Sequence, residues 1–531
     1  MNQKKIQVWL PVLLSVSLII GMFFGYKLKD NMGVYGPSFF GKQRKTTLQE
    51  ILELVKTKYV DTVNVDSLGF MAIQNVLSQL DPHSVYIPTE QVKLVNEDLQ
   101  GNFEGIGIEF EVIDDTVTVL STVPNGPAET AGIKVGDRVL TANDSLVSGV
   151  KSNEDRIRKL FRGPRGTEVN VQFVRNGQKK TITIQRGIIP VKSIDAAYMI
   201  EPGIAFIRIN KFSSTTYEEF MQNLERLKGE GMKMLILDLR QNGGGIMDDA
   251  IQIADEFLDG SKEIVYTEGK SSPRQDYTAR RPGMFEEGKL VVLIDEGTAS
   301  ASEVLTGALQ DWDRATIIGR RSFGKGLVQE QFNLSDGSAI RLTISRYFTP
   351  IGRSIQKPYQ PGSLTKYKDE VIERFTTGEV FDGDSARHNG KAFKTKGGRI
   401  VYGGGGINPD VFVPVDSTEF KKNKRDMHAY DMIAHAAFYY YLSNQSKLQQ
   451  IKSPTELNNW MQNDPSIWTF LQNRSVKDSF NLSIISPQQK LYLQREMIAM
   501  VGRQLWRKEG FFKVMNLDDP MIIKALEFIK K

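Results

Sequence analysis

Ser300 and Lys325 are two residue types that together can cleave an acyl bond without histidine. A serine hydroxyl becomes a competent nucleophile once a base takes its proton, and a lysine held neutral can be that base. Ser300 lies in Glu296-Gly-Thr-Ala-Ser-Ala-Ser-Glu303 and Lys325 in Gly319-Arg-Arg-Ser-Phe-Gly-Lys-Gly326. The four histidines, His83, His388, His428 and His435, fall in neither segment. Three other readings compete. Ser300 and Glu303 fit a capping box, in which the serine only closes a helix. Ser302 is a rival nucleophile, although the helix N-terminus at Ser300 is the more exposed position. Gly319-x-x-x-x-Gly324-Lys325 imitates a phosphate-binding loop, but Gly326 stands where Ser or Thr is needed and a strand follows instead of a helix. No nucleotide is expected.

The elements around the pair suit the chemistry. Leu290 to Ile294 reads as a strand, Gly297 as a turn, and Val304, Leu305, Ala308 and Leu309 as a helical face beginning at Ser300. This sets the serine beside free N–H groups at the positive end of a helix. Ala315 to Ile318 reads as the next strand and leads into the loop that can carry Lys325 back. A second glycine-rich strand-to-helix turn, Asn242 to Gly245, follows a strand over 232–239 and can aim further N–H groups at the same place. Strands over 203–209, 232–239 and 290–294 alternate with helices over 217–227 and 247–258, which implies a parallel α/β layer. Long strands follow over 327–334 and 339–349. Residues 357–400 are polar and poorly periodic and read as an insertion or long loop.

At 531 residues the chain holds several domains, and 40% apolar with 25% charged residues is a globular composition. A net charge of +5 over that length gives no reason to expect nucleic acid. Cysteine is absent, so disulfides and thiolate metal sites are excluded; no metal or cofactor is expected. After Met1-Asn-Gln-Lys-Lys, the uncharged run Val8 to Tyr26 is about as long as a bilayer span and lacks a convincing cleavage site. Residues 1–30 therefore read as an uncleaved single-pass anchor. On that reading the protein sits in the cell membrane with its catalytic body extracytoplasmic, on the periplasmic side.

Residues 45–98 read as a helical N-terminal domain, in which the helical patterns from Leu48 to Leu80 end at the turn Asp81-Pro-His-Ser84, with His83 structural. Residues 99–188 change to short strands, with a hairpin across Asn176-Gly177. Residues 418–531 return to helical patterns over 428–442, 488–506 and 521–529.

Two resemblances add to this reading. Phe103-Glu-Gly-Ile-Gly-Ile-Glu-Phe110, Pro127-Ala-Glu-Thr-Ala-Gly-Ile133 and Val135-Gly-Asp137 resemble a PDZ domain of the bacterial protease type. The resemblance implies that Phe103, Glu104, Gly105 and Ile106 form the loop that receives a peptide's C-terminal carboxylate while the peptide adds to the sheet edge. Leu237-Asp-Leu-Arg-Gln-Asn-Gly-Gly-Gly245, Gly297 to Glu303, Gly324-Lys-Gly-Leu-Val-Gln329, Thr349 to Gln356 and Gly406-Ile-Asn-Pro-Asp410 are similar to the carboxyl-terminal processing proteases. That similarity implies Ser300 as nucleophile, Lys325 as general base and Gln329 as the residue orienting the lysine. The oxyanion donors would be the N–H of Ala301 and of either Gly244 or Gly245; the family often has proline where Gly243 stands. The implied architecture is multidomain α/β, a crotonase/ClpP-like Ser/Lys protease core (189–417, with the insertion 357–400) carrying an inserted β-rich PDZ domain and helical N- and C-terminal domains. The implied partners are peptides with free C-termini, with a homo-oligomer and an adaptor protein left open. The alternative is an inactive, membrane-anchored PDZ scaffold, which predicts disruption of Ser300 or Lys325; neither is disrupted.

Overall fold

The computed structural model describes residues 14–22, 46–149, 153–382, 390–415, 426–478, 480–482 and 485–531. The expected membrane anchor is corrected here. Leu14 to Met22 are helical, while the rest of the run Val8 to Tyr26 lies outside the described residues, as does His388. Among the described residues no helix is long and apolar enough to cross a membrane, so neither the anchor nor the placement inferred from it stands. A stretch of apolar residues predicts a span from hydropathy alone, and the described helix is far short of the ~20 residues a bilayer requires.

The chain separates into two compact units, Met1–Ile73 and Gln74–Lys531. In the first, the helix Thr47–Lys58 is opened by a capping box in which Thr46 and Gln49 satisfy each other's backbone N–H groups, and it buries no residue. The second unit contains the elements that follow.

Its centre is a six-stranded sheet in the order Ile194–Glu201, Ile204–Ile209, Met234–Asp238, Leu290–Ile294, Thr316–Gly319, Val411–Phe412, parallel except for its first strand. Strand alternation divides its side chains between two layers. Ile207, Leu235, Leu237, Val292 and Ile294 pack with the helices Thr216–Gly229, Met247–Asp255 and Ala301–Asp311. Phe206, Ile236, Val291 and Leu293 pack instead with Met521, Ile522, Ala525 and Ile529 of the last helix, Pro520–Ile529. That helix therefore covers the central sheet and does not join the C-terminal bundle. A second, antiparallel sheet combines Leu327–Asn333 and Ala339–Phe348 with Val85–Ile87, Glu263–Glu268 and Gln275–Thr278.

The β-rich segment forms its own sheet, ordered Ile108–Ile113, Thr116–Thr122, Arg138–Ala142, Glu168–Arg175, Gln178–Gln185. Its core of Val117, Val119, Val139, Ile157, Val171 and Phe173 is separate from that of the catalytic sheet. The helices Asp426–Leu448, Pro454–Gln462, Ser466–Lys477 and Pro487–Met515 share another core, around Met432, Tyr440, Leu471 and Met497. The stretch 357–400 is more ordered than its sequence suggests. It holds the helix Leu364–Thr376 and a small hairpin, Ala392–Lys394 with Ile400–Tyr402. Its inward side interleaves apolar Tyr367, Val371 and Phe375 with charged Glu370 and Arg374, and the helix lies inside a polar stretch.

Candidate active site

Ser300 occupies the turn between the strand Leu290–Ile294 and the helix Ala301–Asp311 with φ 57° and ψ −117°, a conformation unfavourable for any residue with a Cβ. Such strain costs on the order of 1–3 kcal/mol and persists only where neighbours hold it. Here the holder is Glu303, fully buried at the third position of the helix. Its Oε2 accepts from the N–H of Ser300 at 2.8 Å and from the N–H of Lys325 at 2.8 Å. Its Oε1 accepts from Gly324 N–H at 2.7 Å and Ser322 Oγ at 2.5 Å. One carboxylate oxygen thus fixes the backbones of the serine and the lysine together. Burial pushes the Glu303 pKa up, and the four donors oppose that shift.

A second clamp repeats the connection. The buried Tyr347 hydroxyl donates to Lys325 O at 2.5 Å and is within 3.2 Å of Ser300 O. From the other side, Arg374 of the helix Leu364–Thr376 donates to the carbonyls of Arg321, Ser322 and Phe323. The Lys325 loop is therefore held at Ser322, Phe323, Gly324 and Lys325 by groups remote in sequence.

Burial pushes the Lys325 pKa down to about 8, aided by the positive charge of Arg341 and opposed by Glu303 and Asp81. An ordinary lysine near 10.4 is neutral to only a few parts in ten thousand at pH 7, whereas one near 8 is neutral to about one part in ten. His83 shares this environment. Its pKa is lowered to about 4 by burial first and by Lys325 next, and its Nε2 lies 3.0 Å from the Tyr367 hydroxyl. It is a neutral packing partner and not a rival base.

Asn242 ties the glycine turn to the serine turn. Its carbonyl accepts from Ala299 N–H at 2.9 Å and from the Ser302 hydroxyl at 3.0 Å. Ser302 is fully buried with its hydroxyl committed there, which leaves it unsuited to attack a substrate. Gly244 fits directly against the serine: a Cβ at that position would lie 2.7 Å from Ser300 Cβ and 2.9 Å from Ala301 N. Its own N–H donates to Asn242 Oδ1 at 2.9 Å. Gly245, at φ 141°, bridges to Phe212, whose carbonyl would lie 1.9 Å from a Cβ there. The structure thus gathers Ser300, Ala301, Gly244 and Lys325. Gln329 is directed elsewhere: its amide donates to Leu327 O at 3.1 Å and to Thr343 Oγ1 at 3.4 Å.

The expected peptide loop lies at the entrance to the β-rich domain. Phe103, Glu104 and Gly105 pair with Ile189, Ile188 and Gly187, and Ile106 is buried with its carbonyl accepting from Ala128 N–H. Glu104 holds Lys93 at 2.5 Å and Arg165 N–H at 3.2 Å. Arg162 stacks 4.4 Å over Phe103 and pairs with Glu97.

A strained serine at a strand-to-helix turn, clamped through Glu303 to a half-buried lysine of lowered pKa, in a chain that also carries a separate β-rich domain, fits a serine peptidase. Residues 203–362 match peptidase family S41 and residues 105–185 match the PDZ domain. A carboxy-terminal-processing protease of Bartonella bacilliformis is 37% identical over 314 residues, covering 58% of this chain and 71% of that one. A probable CtpA-like serine protease of Staphylococcus epidermidis is 33% identical over 356 residues, covering 66% and 72%. Among solved structures, a photosystem II D1 C-terminal processing protease is 30% identical and covers 59% of this chain and 85% of that one, with a TM-score of 0.34. The chain belongs to the carboxy-terminal-processing proteases of peptidase family S41. It is a serine-type peptidase with a PDZ domain, and the scaffold alternative is set aside.

Proposed function

We propose that Ser300 is the nucleophile and Lys325 the general base of this protease. The observation that carries the proposal is the single Glu303 oxygen bonded to the N–H groups of both residues. Neutral Lys325 takes the Ser300 proton as Oγ attacks the scissile carbonyl carbon, and the resulting ammonium returns a proton to the departing amine when the C–N bond breaks. Water then attacks the acyl-enzyme, Lys325 again accepts a proton, and Ser300 is regenerated. The Ala301 N–H, free of an intrahelical partner at the first helical position, is one oxyanion donor. The second donor lies on the glycine turn. Gly244 is the residue against Ser300, but its N–H must exchange Asn242 Oδ1 for the substrate oxygen; Gly245 is the other candidate. The lysine-orienting role of Gln329 rests on the resemblance and requires its amide to leave Leu327 O.

The division into a helical segment 45–98, a PDZ domain 99–188, a core 189–417 and a helical domain 418–531 belongs to the same reading, as does a crotonase/ClpP-like core. The parallel sheet, with the serine at the end of a central strand, supports the latter. Substrate C-termini enter through the PDZ loop Phe103 to Ile106. The test compares wild type, Ser300→Ala, Ser302→Ala and Lys325→Ala on an unfolded protein with a free or an amidated C-terminus. Loss of cleavage in Ser300→Ala and Lys325→Ala, with preference for the free terminus, is expected; full activity in Ser300→Ala overturns the assignment.

A further inference from the structure

The strand Ile108–Ile113 stands at the edge of the PDZ sheet, with residues of the C-terminal helices beside it. Side-chain bonds hold the two together. Arg474 pairs with Asp114 at 2.9 Å, His435 lies 3.4 Å from Glu111, Arg503 pairs with Glu109, and Arg507 donates to Thr122 O at 3.1 Å. Between them remains a cavity of ≈ 220 Å³. Phe110, Leu120 and Glu154 line it from the PDZ side, and Tyr430, Phe438 and Met500 from the helices. Its apolar groups come from both walls, so neither domain alone makes the pocket.

Its position along the strand gives it a register. A peptide whose carboxylate rests at Gly105 and Ile106 and which runs beside Ile108–Ile113 advances one residue per strand residue, ~3.3 Å each. It stands level with Phe110 about four residues before its end. We infer that the C-terminal helices complete a subsite for an aromatic or long aliphatic side chain about four residues upstream of the substrate's C-terminus. The inference rests on the PDZ reading above. The carboxylates lining this space, Glu109, Glu111 and Glu154, outnumber its one arginine, Arg503, so an acidic side chain is disfavoured there.

The test uses the full chain carrying Ser300→Ala, so that peptides bind without being cut. Fluorescein-labelled ten-residue Gly/Ser peptides ending in Ala-Ala-Val carry a Phe moved through positions two to seven before the end. Binding is expected to tighten roughly fivefold over the Gly peptide when Phe stands about four residues before the end, and Asp at that position gives no gain. Tyr430→Ala, at a side chain 47% exposed and so outside the bundle core, removes the gain and leaves the Gly peptide's affinity unchanged. Leu120→Ala on the opposite wall does the same. A gain that survives both substitutions, or no gain at any position, overturns the inference. Amidated peptides binding as tightly as free ones overturn the PDZ reading itself, while a strict need for the free carboxylate without a Phe gain sinks the subsite alone.

Discussion

Two junctions in this molecule are built on different principles. At the Ser300–Lys325 junction, one buried carboxylate accepts from four donors, three of them backbone N–H groups, and one tyrosine hydroxyl spans two carbonyls. At the junction of the PDZ domain with the C-terminal helices, the contacts are ion pairs and an Arg507 bond to a carbonyl, around a cavity. The first fixes main-chain positions, which catalysis needs to within fractions of an ångström. The second leaves space, which recognition of a variable chain end requires. On the proposed assignments, rigid chemistry and permissive recognition are carried by different kinds of bond.

The largest effects should come from the first junction. Ser300→Ala and Lys325→Ala are each expected to lower kcat/KM by ~10³–10⁴-fold while the protein stays folded, because on the proposed mechanism each removes a reacting group; retention of a tenth of the activity in either would break the contrast. Glu303→Gln keeps the volume but places an amide NH₂ against donors, and a loss of ~10²-fold in kcat with about 2–4 kcal/mol of stability is expected in chemical unfolding. If only stability fell, Glu303 would be a helix cap and not the clamp of the dyad.

Lys325→Met should instead stabilise. A lysine pKa lowered to about 8 on folding means that below pH 8 the folded chain holds a proton poorly relative to the unfolded chain. The penalty is about 3 kcal/mol at pH 7 and fades between about pH 8 and 10.5 as the unfolded lysine loses its proton too. The gain of Lys325→Met in a denaturant titration should shrink over that range; a gain independent of pH would mean that folding does not lower the lysine's pKa. The smallest effect belongs to the second junction. Arg474→Ala removes the partner of Asp114 and Asp478 and should cost about 1–2 kcal/mol, with faster hydrogen exchange in Ile108–Ile113 and an unchanged rate on a short peptide lacking a readable tail.

What was legible in the sequence follows the same division. The serine turn, the lysine loop and the glycine turn are short, with residue types set by backbone geometry, so spacing pointed to them and the family resemblance supplied their expected roles. Glu303 was visible as half of a capping box; its bonds to Gly324 and Lys325 were not, because they need the loop to fold back. Tyr347, Arg374 and Asp81 reach the site from separate elements and leave no local pattern. Gln329 shows the opposite limit, since a motif position predicts an identity but not where an amide points. The helix Leu364–Thr376 was obscured because its inward face interleaves Glu370 and Arg374 with Tyr367, Val371 and Phe375, inside a polar stretch. The apolar N-terminal run was read from hydropathy alone, and among the described residues no helix is long and apolar enough to cross a membrane.

The central claim is a lysine uncharged when it works, and the pH dependence of kcat/KM tests it most directly. The account predicts activity rising with pH through a single group of apparent pKa about 8, the ascending limb vanishing with Lys325→Ala. A profile flat from pH 6 to 10, or one whose only midpoint lies at the ordinary lysine value near 10.5, would contradict it.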